Sequence, residues 1–123
     1  MGPRVPAWEY VIAMEQWISP EGTLELPGED RAQVQLVAME LVIPEAEVYT
    51  SLRTPAGTAA LVREVRRRAR EGGKRYSSAL SDVHDLQEAG DAEGARKVLE
   101  EYIAGESIPR YREWAEAELN DLE

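Results

Sequence analysis

Residues 62–90 read VREVRRRAREGGKRYSSALSDVHDLQEAG, and within them Val62, Val65, Ala69, Gly72, Tyr76, Ala79, Val83, Leu86 and Gly90 recur at alternating steps of three and four. That alternation is the a/d seam of a heptad, so the stretch reads as one long helix with a single apolar edge. Upstream, Thr54-Pro55 supplies a hydroxyl N-cap followed by proline at the first helical position. A helix of about 35 residues, on the order of 50 Å long, follows from these limits.

Downstream, Ala89-Gly90-Asp91 is the natural hinge, with Gly90 suited to a left-handed C-cap and Asp91 to the next N-cap. The return arm carries Ala95, Val98, Leu99 and Tyr102, then Ile108, Tyr111, Ala115, Leu119 and Leu122. Pro109 removes a backbone donor within it, so a kink or break is expected there, with Ser107 recapping the last segment. Two long helices joined by so short a turn lie antiparallel. The expected fold class is therefore all-α: a long antiparallel helical hairpin, bundle-like, over residues 54–123. Two or three shorter helices from residues 1–53 pack on it, and the chain forms one domain.

In the N-terminal part, Trp8, Val11, Ile12 and Ile18 fall at or near helical spacing over 7–18, with Tyr10, Met14 and Trp17 widening the apolar surface. Ser19-Pro20-Glu21-Gly22 ends that helix. Residues 23–26 alternate like a strand but have no second strand to pair with, and read as an extended connector. A helix over 29–43 has Val34, Val37 and Leu41 as its stripe, with Leu36, Ala38, Met39, Val42 and Ile43 beside it, and Pro44 stops it. A short helix from Pro44 to Arg53 follows, with Glu45 and Glu47 complementing its dipole.

The chain has 123 residues, no cysteine and a formal charge of −10. Disulfides and thiolate metal sites are excluded, and a reducing compartment fits. A field of that sign repels phosphate backbones and anionic lipid and favours basic partners, although solubility alone also accounts for it. No segment has the ~20 apolar residues needed to span a membrane. Glu9, Glu15 and Gln16 interrupt the most apolar stretch, which therefore does not read as a signal peptide. Met1-Gly2 lacks the Ser or Thr that myristoylation requires, because position 6 is Pro6. The expected location is cytoplasmic.

Gly72-Gly73-Lys74 is not a phosphate-binding loop, since Arg68 and Arg75 stand where that motif needs glycine and Ser/Thr. Gly72 reads as a seam position where a missing side chain lets a facing helix approach. Two mid-helix glycines cost ~1 kcal/mol each relative to alanine, so close packing or a local bend should compensate. His84, the one histidine, stands beside Asp82 and Asp85 but makes a poor zinc site without cysteines. Ser77, Ser78 and Ser81 lie on the same helix as His84 and diverge from it rather than forming a triad. No catalytic, cofactor-binding or metal-binding residue is expected, and the chain does not read as an enzyme. The joint at 89–96 resembles a tetratricopeptide turn, but it occurs once and no 34-residue repeat follows.

Charge is most uneven at 63–75, where seven basic residues and two acids, Glu64 and Glu71, give +5 against −6 before and −9 after. At 100° per residue, Arg63, Arg66, Arg67, Arg70 and Lys74 form a ridge away from the seam. This ridge is the candidate partner-binding surface. It could meet phosphates or an acidic protein, or be a solvated face bridged to the chain's own acids. No aromatics interleave it for base stacking, which disfavours nucleic acid.

Three stretches together resemble the DUSAM domain, a domain of unknown function specific to Myxococcales. They are the arginine-rich run from Leu61 to Gly72, Ala89-Gly90-Asp91 with Gly94-Ala95-Arg96, and Pro109, Tyr111-Arg112 and Ala115-Glu116. The resemblance covers roughly residues 55–122 well and the N-terminal third more loosely. It implies no catalytic residues, and it makes the arginine-rich helix a family trait. The expected function is a non-catalytic acidic protein-interaction module of an immunity or regulatory type, whose protein partner could be a toxin. A nucleic-acid-associated regulator using the ridge is the alternative. Monomer and homodimer both remain open, because one seam can pair within or between chains.

Overall fold

In the computed structural model, which describes residues 6–122, the chain is all-helical. Helix α1 (Pro6–Ala13) passes into a 3-10 turn (Met14–Trp17). It is followed by α2 (Gly28–Glu40), α3 (Glu45–Ser51), α4 (Pro55–Glu88), α5 (Ala92–Gly105) and α6 (Pro109–Leu122). No strand occurs among the described residues, and residues 23–26 are the expected connector, with the Leu24 amide donating to the Pro55 carbonyl at 3.0 Å. Met1-Gly2 lies outside the described residues.

The long helix begins and ends where local chemistry requires. Thr54 Oγ1 accepts from the Gly57 amide at 2.9 Å, and Gly90 adopts a φ of +78° just past the last turn. The Gly90 amide then donates to the Gln87 carbonyl and the Asp91 amide to Leu86, which closes a Schellman motif. Asp91 Oδ1 accepts from the Gly94 amide at 2.9 Å and caps α5.

Two expected ends differ. Residues 14–17 tighten into a 3-10 turn, so the first α-helix stops at Ala13. Helix α2 stops at Glu40, before Pro44, because Val42 turns left-handed.

The chain divides into two compact units, one ending at Ala69 and one beginning at Arg70, so α4 contributes residues to both. In the first, Trp8, Val11 and Met14 are buried with Val34 and Val37 of α2, Leu41 just past its end, Val48 of α3 and Val62 and Val65 of α4. The Trp8 indole N–H donates to Glu40 at 2.7 Å and joins α1 to α2.

In the second unit, Tyr76, Ala79 and Val83 of α4 are buried with Ala95 and Leu99 of α5 and Ile108, Tyr111 and Ala115 of α6. Tyr76 sits at the centre of an aromatic cluster, 6.1 Å from Tyr102, 6.0 Å from Tyr111 and 5.7 Å from Trp114 between ring centroids. The apolar seam is buried from Val62 to Val83, half-buried at Leu86 and exposed at Gly90.

The break before Pro109 is present, but Ser107 does not provide the cap. The Ile108 amide, just ahead of the helix, donates to Glu106 Oε2 at 3.1 Å, so a carboxylate and not the Ser107 hydroxyl braces the break. Gly72 accounts for its own position: a Cβ there would stand 2.5 Å from Cε2 of Tyr111 and 3.0 Å from Cδ1 of Ile108. At Gly73 the nearest atom, the Tyr111 hydroxyl, would be an ordinary 3.6 Å away.

These two neighbours should respond to alanine with opposite signs. Gly72→Ala gains ~1 kcal/mol of helix propensity but must displace a ring packed inside the aromatic cluster. It is expected to lose about 1–3 kcal/mol net. Gly73→Ala meets no obstacle and is expected to gain up to ~1 kcal/mol. Urea unfolding of the two variants beside the wild type reads both values.

Candidate functional site

Among the described residues, none of the α-helices carries a basic residue in its last turn. The exposed carbonyls at helix C-termini therefore need donors from elsewhere. Arginines distant in sequence provide them. Arg31 donates to the Leu52 carbonyl beyond α3 at 2.6 Å, and Arg112 to the Glu106 carbonyl beyond α5 at 3.0 Å. Arg68 donates to the carbonyls of Leu41 and Val42 beyond α2, at 3.2 and 3.1 Å.

The residues expected to form the arginine ridge divide by partner. Arg66 pairs with Glu15 at 2.9 Å, and Arg67 pairs with Glu64, which also receives Arg68 at 2.7 Å. The Arg67 hydrogen bond, and after it that of Arg68, outweighs burial and holds the Glu64 carboxyl below its usual range. The side chains of Arg63, Arg70 and Lys74 are exposed and make no hydrogen bond or ion pair with a described residue. The basic run thus has two roles: Arg68 and Arg75, both off the ridge, serve the fold, and part of the ridge remains available to solvent.

Arg75 leads to a residue that sequence reasoning missed. It forms a two-pronged pair with Glu106, Nε to Oε1 at 3.0 Å and Nη2 to Oε2 at 2.9 Å. Glu106 is only 4% exposed, and it also accepts from the Tyr102 hydroxyl at 2.9 Å and from the Ile108 amide. Burial by itself would raise this carboxyl. The hydrogen bonds from Arg75, Ile108 and Tyr102, with the arginine's charge, overcome that and hold it below the usual range. Burial and then the bond to Glu106 push the Tyr102 hydroxyl up, so it remains protonated and able to donate. With donors from Arg75, Tyr102 and the Ile108 amide, Glu106 joins α4, α5 and the start of α6.

The surface of the first unit holds a different feature. Among the described residues, the exposed large apolar side chains lie there: Tyr10, Trp17, Leu36, Met39, Val42 and Tyr49. Tyr10 and Trp17 pack edge to face at 6.0 Å, and Tyr10 donates to Asp30 at 2.8 Å. Leu36, Met39 and Val42 follow one another at steps of three along the outer side of α2 and its end. The amide of Gln35 donates to the Tyr49 hydroxyl at 2.9 Å, which places Tyr49 beside them. Spacing put Leu36, Met39 and Val42 next to the core stripe; they are 54%, 42% and 46% exposed because the core covers only the Val34–Leu41 side of α2.

Val42 stands out further. Its φ is +66°, in a region that β-branched residues rarely enter. The Val42 amide donates to Met39 and the Ile43 amide to Ala38, so Val42 occupies the position in α2's Schellman motif that Gly90 occupies in α4's.

His84, Asp82 and Asp85 are exposed, as are Ser77, Ser78 and Ser81. No group of three His, Cys, Asp or Glu side chains among the described residues could hold a metal ion. No described helix is long and apolar enough to cross a membrane.

Residues 6–122 match the model of a protein family described as Protein of unknown function (DUF2379). The chain belongs to this family. The DUF2379 match runs from the first residue of α1 to the last of α6, so both packing units fall inside it. No curated protein matches the chain. No solved structure matches it.

Two outcomes follow for stability. The depressed Glu106 carboxyl contributes stability that is fully present above the unfolded value, about pH 4.3. That contribution is lost as pH falls through the folded value. Glu106→Gln should cost about 2 kcal/mol at neutral pH, a difference that shrinks on acidification below pH ~4. Chemical unfolding at several pH values measures it. Val42→Gly removes the strain of a left-handed β-branched residue whose side chain is half in solvent. It should raise stability by about 1 kcal/mol, read as a higher melting temperature.

Proposed function

We propose that the protein is a non-catalytic, acidic protein-interaction module of an immunity or regulatory type. The observation that carries this reading is the apolar surface on α2 and α3, Leu36, Met39, Val42 and Tyr49, in a chain of net charge −10. Monomeric soluble proteins keep large contiguous apolar patches covered, and uncovered ones mark interaction sites. An acidic surface steers basic partners and suits masking a basic protein such as a phosphate-binding toxin. The arginine-rich helix, the turn at 89–96 and the late helix support placing the chain more finely with the DUSAM domains. In this reading residues 54–123 act as a rigid antiparallel hairpin.

Affinity capture with the full chain at physiological salt is expected to recover a discrete protein from native extract. A neutralisation assay on any toxin so recovered tests the immunity form. Absence of any specific capture, with the chain monodisperse on its own, would sink the proposal.

A second reading has its own observation, the exposed Arg63, Arg70 and Lys74 that no described side chain neutralises. A nucleic-acid-associated regulator would bind through them with strong salt dependence, weakened by Arg66→Glu and Arg70→Glu. A flat mobility-shift titration at low salt removes this reading.

A further inference from the structure

We propose that the face formed by Leu36, Met39, Val42 and Tyr49 is a docking surface for an amphipathic helix whose apolar stripe is flanked by lysine or arginine. The inference rests on the interaction-module reading and names the partner's chemistry.

Its first support is the comparison of two identical motifs in one chain. Helices α2 and α4 both end in a Schellman motif, and the left-handed residue is Gly90 in one and Val42 in the other. Glycine enters that conformation without strain, whereas a β-branched residue does so at a cost. The cost is not recovered by packing of the Val42 side chain, which is 46% exposed, while its neighbours Leu41 and Ile43 are buried and hold the turn. Folding alone favours glycine at position 42. An isopropyl group held out in solvent at the expense of stability is accounted for by a contact made outside the chain.

Spacing and charge define that contact. Leu36, Met39 and Val42 recur every three residues, a ridge of the kind that interdigitates with the apolar stripe of another helix. Between positions 28 and 51 stand five carboxylates, Glu29, Asp30, Glu40, Glu45 and Glu47, against a single arginine. That arginine, Arg31, is committed to the Leu52 carbonyl, and Arg68 of α4, which reaches the face at the Leu41 and Val42 carbonyls, is paired with Glu64. Glu45 and Glu47 lie exposed in the first turn of α3 beside the face and pair with no described residue. An acidic rim around an apolar centre selects a basic amphipathic helix and repels anionic lipid and nucleic acid.

The full chain is titrated with a synthetic leucine–lysine amphipathic helical peptide and with its glutamate-for-lysine twin, followed by amide NMR. The lysine peptide is expected to shift amides within 35–49 and to weaken with added salt. The glutamate twin should leave the spectrum unchanged. Leu36→Ser and Val42→Gly should each weaken binding at least about tenfold. Val42→Gly is the informative variant, because it is expected to be more stable than wild type and its loss cannot be ascribed to misfolding.

Equal binding of the two peptides, shifts centred on 63–75, or unchanged affinity in Val42→Gly overturns the inference. Self-association abolished by Leu36→Ser also overturns it, by giving the face to a second copy of the chain. A captured natural partner that binds Leu36→Ser as tightly as wild type overturns this face but leaves the interaction module standing. Failure to capture any partner overturns the module itself.

Discussion

The apolar edge of α4 is the constraint to which the other elements answer. A helix of 34 residues with valine, alanine, glycine and tyrosine along one side cannot leave that side in water. From Val62 to Val65 it is covered within the first packing unit, and from Gly72 to Val83 within the second. The two stretches are covered differently. The first is lined by valines and leucines at or near zero exposure, the ordinary close-packed arrangement. The second has fewer aliphatic side chains and depends on tilted and edge-to-face aromatic rings, a glycine that admits Tyr111, and a buried carboxylate.

The polar groups follow from the same constraint. Short helices that end without local cations leave carbonyls to be satisfied, and arginines from other helices satisfy them. The dense arginine run of α4 therefore divides by partner. Arg68 reaches the end of α2 and Arg75, itself half in solvent, reaches the buried Glu106, while Arg63, Arg70 and Lys74 stay in solvent. Glu106 is costly to bury and is kept because every part of it is engaged: two bonds from a guanidinium, one from a phenol and one from a backbone amide. Together these bonds hold the abrupt change of direction between α5 and α6, where Pro109 forbids a continuous helix.

The limits of α4, the left-handed turn at Gly90, the cap at Asp91 and the break near Pro109 were all legible in the sequence. So was the reason for Gly72, because a glycine in the middle of an apolar seam is a local anomaly that close packing explains. Each of these depends on interactions within about one helical turn, or on the period of a single helix. Glu106, by contrast, is one of 24 acidic residues and has no local mark. Its role requires Arg75, which lies 31 positions earlier. Val42 likewise looked like a continuation of the α2 stripe, and nothing in its neighbourhood announced a left-handed turn.

By itself, then, the sequence determined where the helices run, where they stop and which edge of the longest one must be buried. Only the tertiary structure decided which apolar residues stay uncovered and which charges go inside. Leu36, Val37 and Met39 are all apolar and lie on one helix, yet only Val37 is buried. Periodicity and capping are short-range properties of one segment, whereas burial depends on what stands opposite, and that is set by chain returning from far away in sequence.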